Sequence, residues 1–181
     1  MAAQVKSLKM HNKLLLDVIK RQAGTLEKAI LEGVMNGIEA GASRVDIEFA
    51  ENDGSAILAI KDDGKGISSE TEIEKFFETF GTPHDESENK VWAQFRMGRG
   101  QLFAFGKNTW NTSTFKMEVD IDNWGLDYHL TKDLQHRNGC DILVELYQNP
   151  IGRSYNSVEA LKDRVMAQIR YMSVPVFFNG E

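Results

Sequence analysis

Cysteine is nearly missing from this chain, with Cys140 the sole example among 181 residues. No internal disulfide can form, so packing alone must hold the fold, as suits a reducing compartment. Proline is almost as scarce, at three, and no repeat or low-complexity tract interrupts the sequence. No run approaches the roughly 20 apolar residues of a membrane span, and Met1 to Lys13 holds no uninterrupted apolar stretch of signal-peptide length. The expected location is therefore cytoplasmic, without membrane association. A basic excess is also lacking. The net charge is −6, which gives the domain by itself no footprint for duplex nucleic acid.

Two nucleotide motifs are absent as well. No G-x-x-x-x-G-K-[ST] run occurs, which excludes a P-loop, and G-x-G-x-x-G does not occur, which removes support for a Rossmann fingerprint. The four histidines, His11, His84, His129 and His136, show no metal-ligand spacing. Trp92, Trp110 and Trp124 read as core or lid packing rather than base-stacking platforms.

What is present is a globular composition, 41% hydrophobic and 27% charged, at a length that suits one domain with a real core. A helix is predicted from about His11 to Gln22. Thr25 then caps a second helix running to about Ala40, closed by Gly41. Val45, Ile47 and Phe49 alternate with Asp46 and Glu48, a half-buried strand. Asn52-Asp53-Gly54 reads as a hairpin turn, and Ala56 to Ile60 is the return strand. Ser69 to Phe80 reads as a short helix, and Gly81 to Met97 as a long loop. Asn108 to Leu130 holds two or three strands. Asn138-Gly139 is expected to turn into a strand from Asp141 to Tyr147. Ser157 to Tyr171 is an amphipathic helix with Val158, Leu161, Val165 and Ile169 on one side, and Val174 to Phe178 a last strand. Helices, a hairpin, a long loop and further strands describe an α/β two-layer sandwich.

The second helix has two faces at about 100° per residue. Ile30, Val34, Ile38, Leu31 and Met35 form a broad apolar side, which also takes in Glu27. Glu32, Asn36 and Glu39 cluster opposite, with Gly33 and Gly37 between them. Glycine costs roughly 1 kcal/mol against alanine inside a helix. Two such losses imply that something approaches this backbone closely; the plain alternative is a pair of packing notches beside ordinary surface charges.

Asp62-Asp63-Gly64-Lys65-Gly66 follows an apolar strand directly. A carboxylate at a strand end can accept a hydrogen bond from an exocyclic amine such as adenine N6, and the glycines admit a sharp turn and a flat ligand. D-x-G-x-G alone equally describes a simple turn. Gly98-Arg99-Gly100-Gln101-Leu102 opens a second glycine cluster ending at Gly106. It reads as a tight turn into a helix, whose first N–H groups suit a phosphate, or as a buried helix packed closely through its glycines.

The order of these pieces resembles the GHKL superfamily, whose members include gyrase, Hsp90, histidine kinase, MutL and MORC proteins. Glu32 to Ala42 resembles its N-box, with Glu39 where Asp is more frequent. Asp62 to Gly66 resembles the G1 box, with Asp63 where Asn is frequent. Phe80-Gly81-Thr82-Pro83-His84 is similar to the lid hinge, without the lysine often found after it. Gly98 to Leu102 is similar to the G2 box. Asn138 to Ile142 resembles the late Gly-Thr strand motif, with Cys140 in place of Thr.

The resemblance covers roughly Leu14 to Phe178. It implies the Bergerat ATP-binding fold, a mixed, mainly antiparallel sheet covered by helices on one face. It further implies a single ATP-binding domain over residues 1–181, with an N-terminal helical segment 1–22 and an ATP lid at about 81–97. The implied activity is Mg²⁺-dependent ATP hydrolysis. Glu32 is then the catalytic base, Asn36 the Mg²⁺ ligand and Asp62 the reader of adenine. Gly64 and Gly66 shape the base pocket, and Glu39, Ile67 and Cys140 are further ATP-binding positions. Thr82 contacts ATP from the hinge, and Gly98, Arg99, Gly100, Gln101 and Leu102 take the phosphates. Lid closure would couple to an ATP-dependent homodimer and to a partner protein or larger machine. Two alternatives remain open: a non-hydrolysing ATP switch, and a histidine-kinase-type catalytic domain, which fits less well because an acid stands one turn before the asparagine. Phosphate release separates the first from the ATPase reading.

Overall fold

The computed structural model describes residues 12–79 and 98–181. The expected lid and its hinge, including Thr82, His84 and Trp92, and the first part of the N-terminal segment with His11 lie outside them.

A seven-stranded sheet forms the base, in the order β5-β4-β3-β6-β2-β1-β7. Strands β1 (Val45–Asn52) and β2 (Ser55–Asp62) form the expected hairpin, in register from Val45↔Asp62 to Asn52↔Ser55. Its two turn residues, Asp53 and Gly54, both have positive φ (44° and 84°), which matches the right-handed twist of the strands. β6 (Arg137–Leu146) pairs antiparallel with β2 and with β3 (Gly106–Ser113). β4 (Phe115–Val119) and β5 (Tyr128–Thr131) continue the meander. Among the described strands only β7 (Val176–Phe178) runs parallel to its neighbour, β1. The sheet is therefore mixed and mainly antiparallel.

Alternation decides which side is covered. Ile47 and Phe49, Leu58 and Ile60, Trp110, Met117, Ile142 and Val144 are all buried on one face. Against them pack α2 (Leu26–Glu39), α4 (Gly98–Phe105) and α5 (Val158–Ile169), with α1 (Asn12–Arg21) lying on α4. Ala29, Ile30 and Val34 of α2, Leu102 and Phe103 of α4, and Leu161, Val165 and Ile169 of α5 complete the core. The other face carries surface ion pairs such as Lys61–Glu48 and Lys116–Glu118, which contribute little to stability.

Local details depart from expectation in three places. Asn138-Gly139 is not a turn before a strand but part of β6. Pairing passes from Thr112↔Cys140 to Ser113↔Arg137, so Gly139 with φ 70° sits in a bulge. The helix after Ser69 does not run on to Phe80. Ser69 accepts from the Glu72 N–H and caps a short α3 (Glu70–Ile73), which widens into a π-helical turn over Glu74–Glu78. That turn delivers Phe77 into edge-to-face contact with Phe103, Trp110 and Tyr128 at 5.3–5.6 Å between ring centres. Finally, Leu31, Met35 and Ile38 are only partly buried, so the core face of α2 is narrower than its periodicity suggests.

Candidate functional site

The site begins with the way α2 lies on β2. A Cβ on Gly33 would stand 2.6 Å from Ile60 Cδ1. One on Gly37 would stand 2.9 Å from Asp62 Cβ and 3.3 Å from its Oδ2. The two glycines are thus the contact line of helix on strand. The close approach their cost implied is made by the chain's own β2, through Ile60 and Asp62. Glu32 and Asn36 project one turn apart on the adjoining flank, Glu32 half-buried and Asn36 exposed, with exposed Glu39 a further step along. The end of β2 therefore places a carboxylate directly under the helix segment that presents the acid and the amide.

A Schellman closure ends α2. Gly41, with φ 80°, donates to Ile38 O at 2.9 Å, and Ala42 donates to Gly37 O at 3.0 Å. The loop after β2 folds against this end. Gly64 N–H donates to Asp62 Oδ1 at 2.9 Å, and Lys65 N–H donates to Ala40 O at 3.0 Å. Asp63 turns the opposite way. Its carboxylate accepts from the Ser43 N–H at 2.7 Å, the Arg44 N–H at 3.0 Å and the Ser43 hydroxyl, and so fixes the corner between α2 and β1. From the far side Thr112 holds the loop: its buried hydroxyl accepts from the Ile67 N–H at 2.8 Å and donates to Gly139 O at 3.0 Å. Gly66 (φ 65°) and Gly139 (φ 70°) take conformations that favour glycine, where β2, β3 and β6 crowd together.

The second glycine cluster does open a helix. Gly98, Arg99 and Gly100 form the first turn of α4. The buried Asn108 amide donates to Leu102 O at 3.1 Å and to Gly106 O at 2.8 Å, which locks this helix to β3. Leu102 itself is fully buried, and its Cδ1 lies 3.5 Å from the Cβ position of Gly33. Its side chain is core, so a ligand contact at this position falls to its backbone. Gln101 is half-buried, and its Oε1 is shut off from solvent without a hydrogen-bond partner among the described residues.

Comparison with known proteins adds a family to this geometry. Residues 24–145 match the model of the histidine kinase-, DNA gyrase B- and HSP90-like ATPases. The chain belongs to this ATPase family. The matched region runs from the loop before α2 into β6, and so includes Glu32, Asn36, the loop after β2, α4 and Cys140. Among solved structures, the N-terminal domain of a DNA repair protein superposes with a TM-score of 0.53 at 22% identity. It covers 84% of this chain, whereas this chain spans 47% of its length. At that identity the likeness is one of fold. A search of curated sequences finds no match.

Within this histidine kinase-, gyrase B- and HSP90-like domain, two carboxyls are held above the usual carboxylate range. Burial raises Glu32, and the charge of Glu39 adds to the effect. Burial also raises Asp62, partly offset by hydrogen bonds from the Gly64 and Cys140 N–H groups. Both acids are thus partly desolvated and take the charged form at some cost. The Cys140 thiol is pushed up by burial and then by Asp62 and Asp141, so it is a small neutral group beside Asp62 rather than a reactive one.

The structure brings together Asp62, Gly64, Gly66, Ile67 and Cys140 on one side, with Glu32, Asn36 and Glu39 on α2 above them. Gly98, Arg99, Gly100 and Gln101 lie on α4, which packs against α2. Thr112, Asp63 and Asn108 were not anticipated. Only Asp63 carried a signal, as the neighbour of the glycine loop. Among the described residues no cluster of three or more His, Cys, Asp or Glu side chains could hold a metal by itself. No described helix is long and apolar enough to cross a membrane.

Proposed function

We propose that the chain binds Mg-ATP between α2 and the loop after β2, and hydrolyses it. The observation that carries this reading is the seating of the Asp62 carboxylate against Gly37, beneath the flank of α2 that presents Glu32 and Asn36. Asp62 accepts the adenine exocyclic amine, Gly64 and Gly66 leave room for the flat base, and Cys140 lines the pocket without a hydroxyl. The first N–H groups of α4 receive phosphate oxygens.

The donor set fits magnesium. Asn36 offers a neutral amide oxygen, and the absence of a carboxylate cage among the described residues suits an ion delivered by the triphosphate and retaining waters. When bound, the ion neutralises charge on the phosphates. Glu32 orients a water and takes its proton as the oxygen attacks the γ-phosphorus, while the bond from phosphorus to the β–γ bridging oxygen breaks and its electron pair leaves on ADP. Its raised pKa makes it a better proton acceptor than an ordinary carboxylate.

Steady-state phosphate release, with ATP binding measured in parallel, tests the assignment. Glu32→Ala should abolish turnover while ATP still binds, and unchanged turnover removes Glu32 as the base. Asp62→Asn should weaken ATP more than it weakens the fold; equal affinity in a folded variant places base reading elsewhere. The single domain over 1–181, the lid, and ATP-driven pairing with a second copy belong to the same proposal. Size-exclusion mass with and without a non-hydrolysable ATP analogue tests the pairing, and an unchanged mass removes it.

A further inference from the structure

A cavity of about 310 Å³ lies at the end of β3 and β6 and takes no part in the nucleotide reading. The two strands supply its floor. Asn111 and Ser113 alternate with the buried Trp110 and Thr112, so they lie on the face opposite the helices. Arg137 stands across from Ser113 in the register. The loop after β5 supplies a wall from Leu134 to His136. That loop is tied down by the Leu134 N–H, which donates to Thr114 O at 3.0 Å. Phe115 and Leu134 make part of the lining apolar.

Two features distinguish the cavity from a packing gap. The Arg137 guanidinium gives its Nη1 to the Asp141 carboxylate, and Asp141 is not part of the lining, whereas Arg137 is. The Arg137 Nε is closed to solvent and has no acceptor among the described residues. A buried N–H left unpaired is unfavourable and uncommon. Nε and Nη2 share one edge of the planar group, so the edge away from Asp141 is an open pair of parallel donors. The second feature is backbone strain. Ser113, in the lining, has φ 50°, which is uncommon outside glycine and persists where the surrounding structure enforces it, often at ligand sites.

The lining narrows the ligand. No acidic side chain is among its residues. Arg137 already shares its charge with Asp141, so one further negative charge is matched and a dianion is not. A planar carboxylate meets two parallel N–H donors bidentately. Phe115 and Leu134 suit a ring or a short chain behind it. The volume is at the small end of ligand pockets, which run from about 300 to 1,000 Å³, and so suits a small molecule.

We propose that this cavity binds a small organic monocarboxylate, held by the open Nε–Nη2 edge of Arg137 with its apolar body against Phe115 and Leu134. The site is on the opposite face of the sheet from α2 and needs no nucleotide, so it stands or falls independently of the ATPase reading.

Benzoate is the probe, titrated into the full nucleotide-free chain at constant ionic strength, with benzamide and inorganic phosphate in parallel. Arginine Nε–H and backbone amide resonances are followed by NMR. Benzoate should move the Arg137 Nε–H and the Ser113 and Leu134 amides saturably. It should bind at least about tenfold more tightly than benzamide, which keeps the ring and loses the charge, and more tightly than phosphate. Arg137→Lys keeps a cation for Asp141 but loses the fork, and should weaken benzoate by about tenfold or more. Leu134→Asp changes an exposed side chain, places a negative charge in the lining and should weaken benzoate while leaving the melting temperature nearly unchanged. If Arg137→Lys does not fold, Leu134→Asp decides alone. Benzoate without a saturable shift overturns the proposal, as does equal binding of benzamide or tighter binding of phosphate. So does unchanged benzoate affinity in folded Arg137→Lys or in Leu134→Asp.

Discussion

Asp62 Oδ2 lies 3.3 Å from the point where a side chain on Gly37 would begin. The helix and the strand end therefore meet backbone to carboxylate, with no side chain between them. Gly33 and Gly37 look equivalent in sequence but differ in what they touch. At Gly33 the obstructing atom is Ile60 Cδ1, the far end of a flexible side chain. At Gly37 it is Cβ of Asp62, with Cγ next at 3.2 Å, and neither moves without moving the carboxylate.

Gly33→Ala gains about 1 kcal/mol of helix propensity and needs only a shift of the Ile60 tip, so it should be near neutral in thermal melting and in ATP affinity. Gly37→Ala gains the same propensity but meets overpacking of about 1–3 kcal/mol. It should lose up to about 2 kcal/mol of stability. It should also weaken ATP by about tenfold, since a hydrogen bond to a charged group is worth about 1.5–3 kcal/mol. Calorimetric titration of the two variants decides the matter. Equal ATP affinities would mean that the seating of Asp62 does not govern the base pocket.

A second prediction concerns pH. Burial and then the charge of Glu39 raise the Glu32 carboxyl, and a base must be ionised to accept a proton. Turnover should therefore fall on acidification at a pH above the ordinary carboxylate range. Glu39→Gln removes the repulsive charge and leaves the burial, which lowers the Glu32 pKa. The acidic limb of the kcat profile should move to lower pH, with the plateau nearly unchanged because Glu39 is exposed. A limb that stays in place, or moves up, would show that Glu32 is not the titrating group.

Much of this arrangement was legible in the chain, because it rests on local rules. The β1–β2 hairpin follows from strict alternation around an Asp-Gly turn. The α2 cap follows from Gly41, and the two faces of α2 from its spacing. What the sequence hid is tertiary. The cost of Gly33 and Gly37 could be read, but not that Ile60 and Asp62 are what approaches them. Asn138-Gly139 reads as a turn because the dipeptide favours positive φ, and only pairing with β3 turns it into a bulge inside β6. The Ser69 helix loses its end to a π-helical turn because Phe77 is drawn toward Phe103, Trp110 and Tyr128. A lone Thr112 or Asn108 in an alternating strand has no local mark of a buried hydrogen-bonding role. Gln101 and Leu102 are adjacent in a glycine-rich motif, yet one is an open acceptor and the other a core side chain.

Tyr155 and Glu27 provide a third test, remote from the chemistry. Glu27 faces the core side of α2, is 8% exposed, and accepts a hydrogen bond from the Tyr155 hydroxyl, with Arg164 at 3.8 Å. Burial pushes its carboxyl up. Hydrogen bonds from Tyr155, its own N–H and Thr25, with Arg164, outweigh that and hold it below its usual value. A depressed folded pKa stabilises above the unfolded value and is lost as pH falls through the folded one. Tyr155→Phe should therefore cost about 1.5–3 kcal/mol at neutral pH, or roughly 3–12 °C in melting temperature. The deficit should shrink on acidification. A deficit independent of pH would show that packing of the ring, not the charged hydrogen bond, carries the effect.

The last prediction concerns Thr112, which is fully buried and joins the loop after β2 to the bulge in β6 through one hydroxyl. It accepts from the Ile67 N–H and donates to Gly139 O, and Gly139 packs against the backbone of Asp62. Thr112→Val keeps the shape and removes the hydroxyl, which strands one buried N–H and one carbonyl. Each orphaned group costs about 1–3 kcal/mol, so the variant should melt at least about 4 °C lower. Thr112→Ser keeps both hydrogen bonds and loses a methyl group, worth about 1 kcal/mol at most. If the hydroxyl is what holds the glycine loop beside Asp62, ATP affinity should follow the same order, near wild type for Ser and clearly weaker for Val. Melting curves and ATP titrations on the pair distinguish the cases. If Val matches wild type in both, the loop is held by Asp63, Ala40 and Gly64 alone. If Val is destabilised but binds ATP normally, Thr112 supports the sheet without shaping the base pocket.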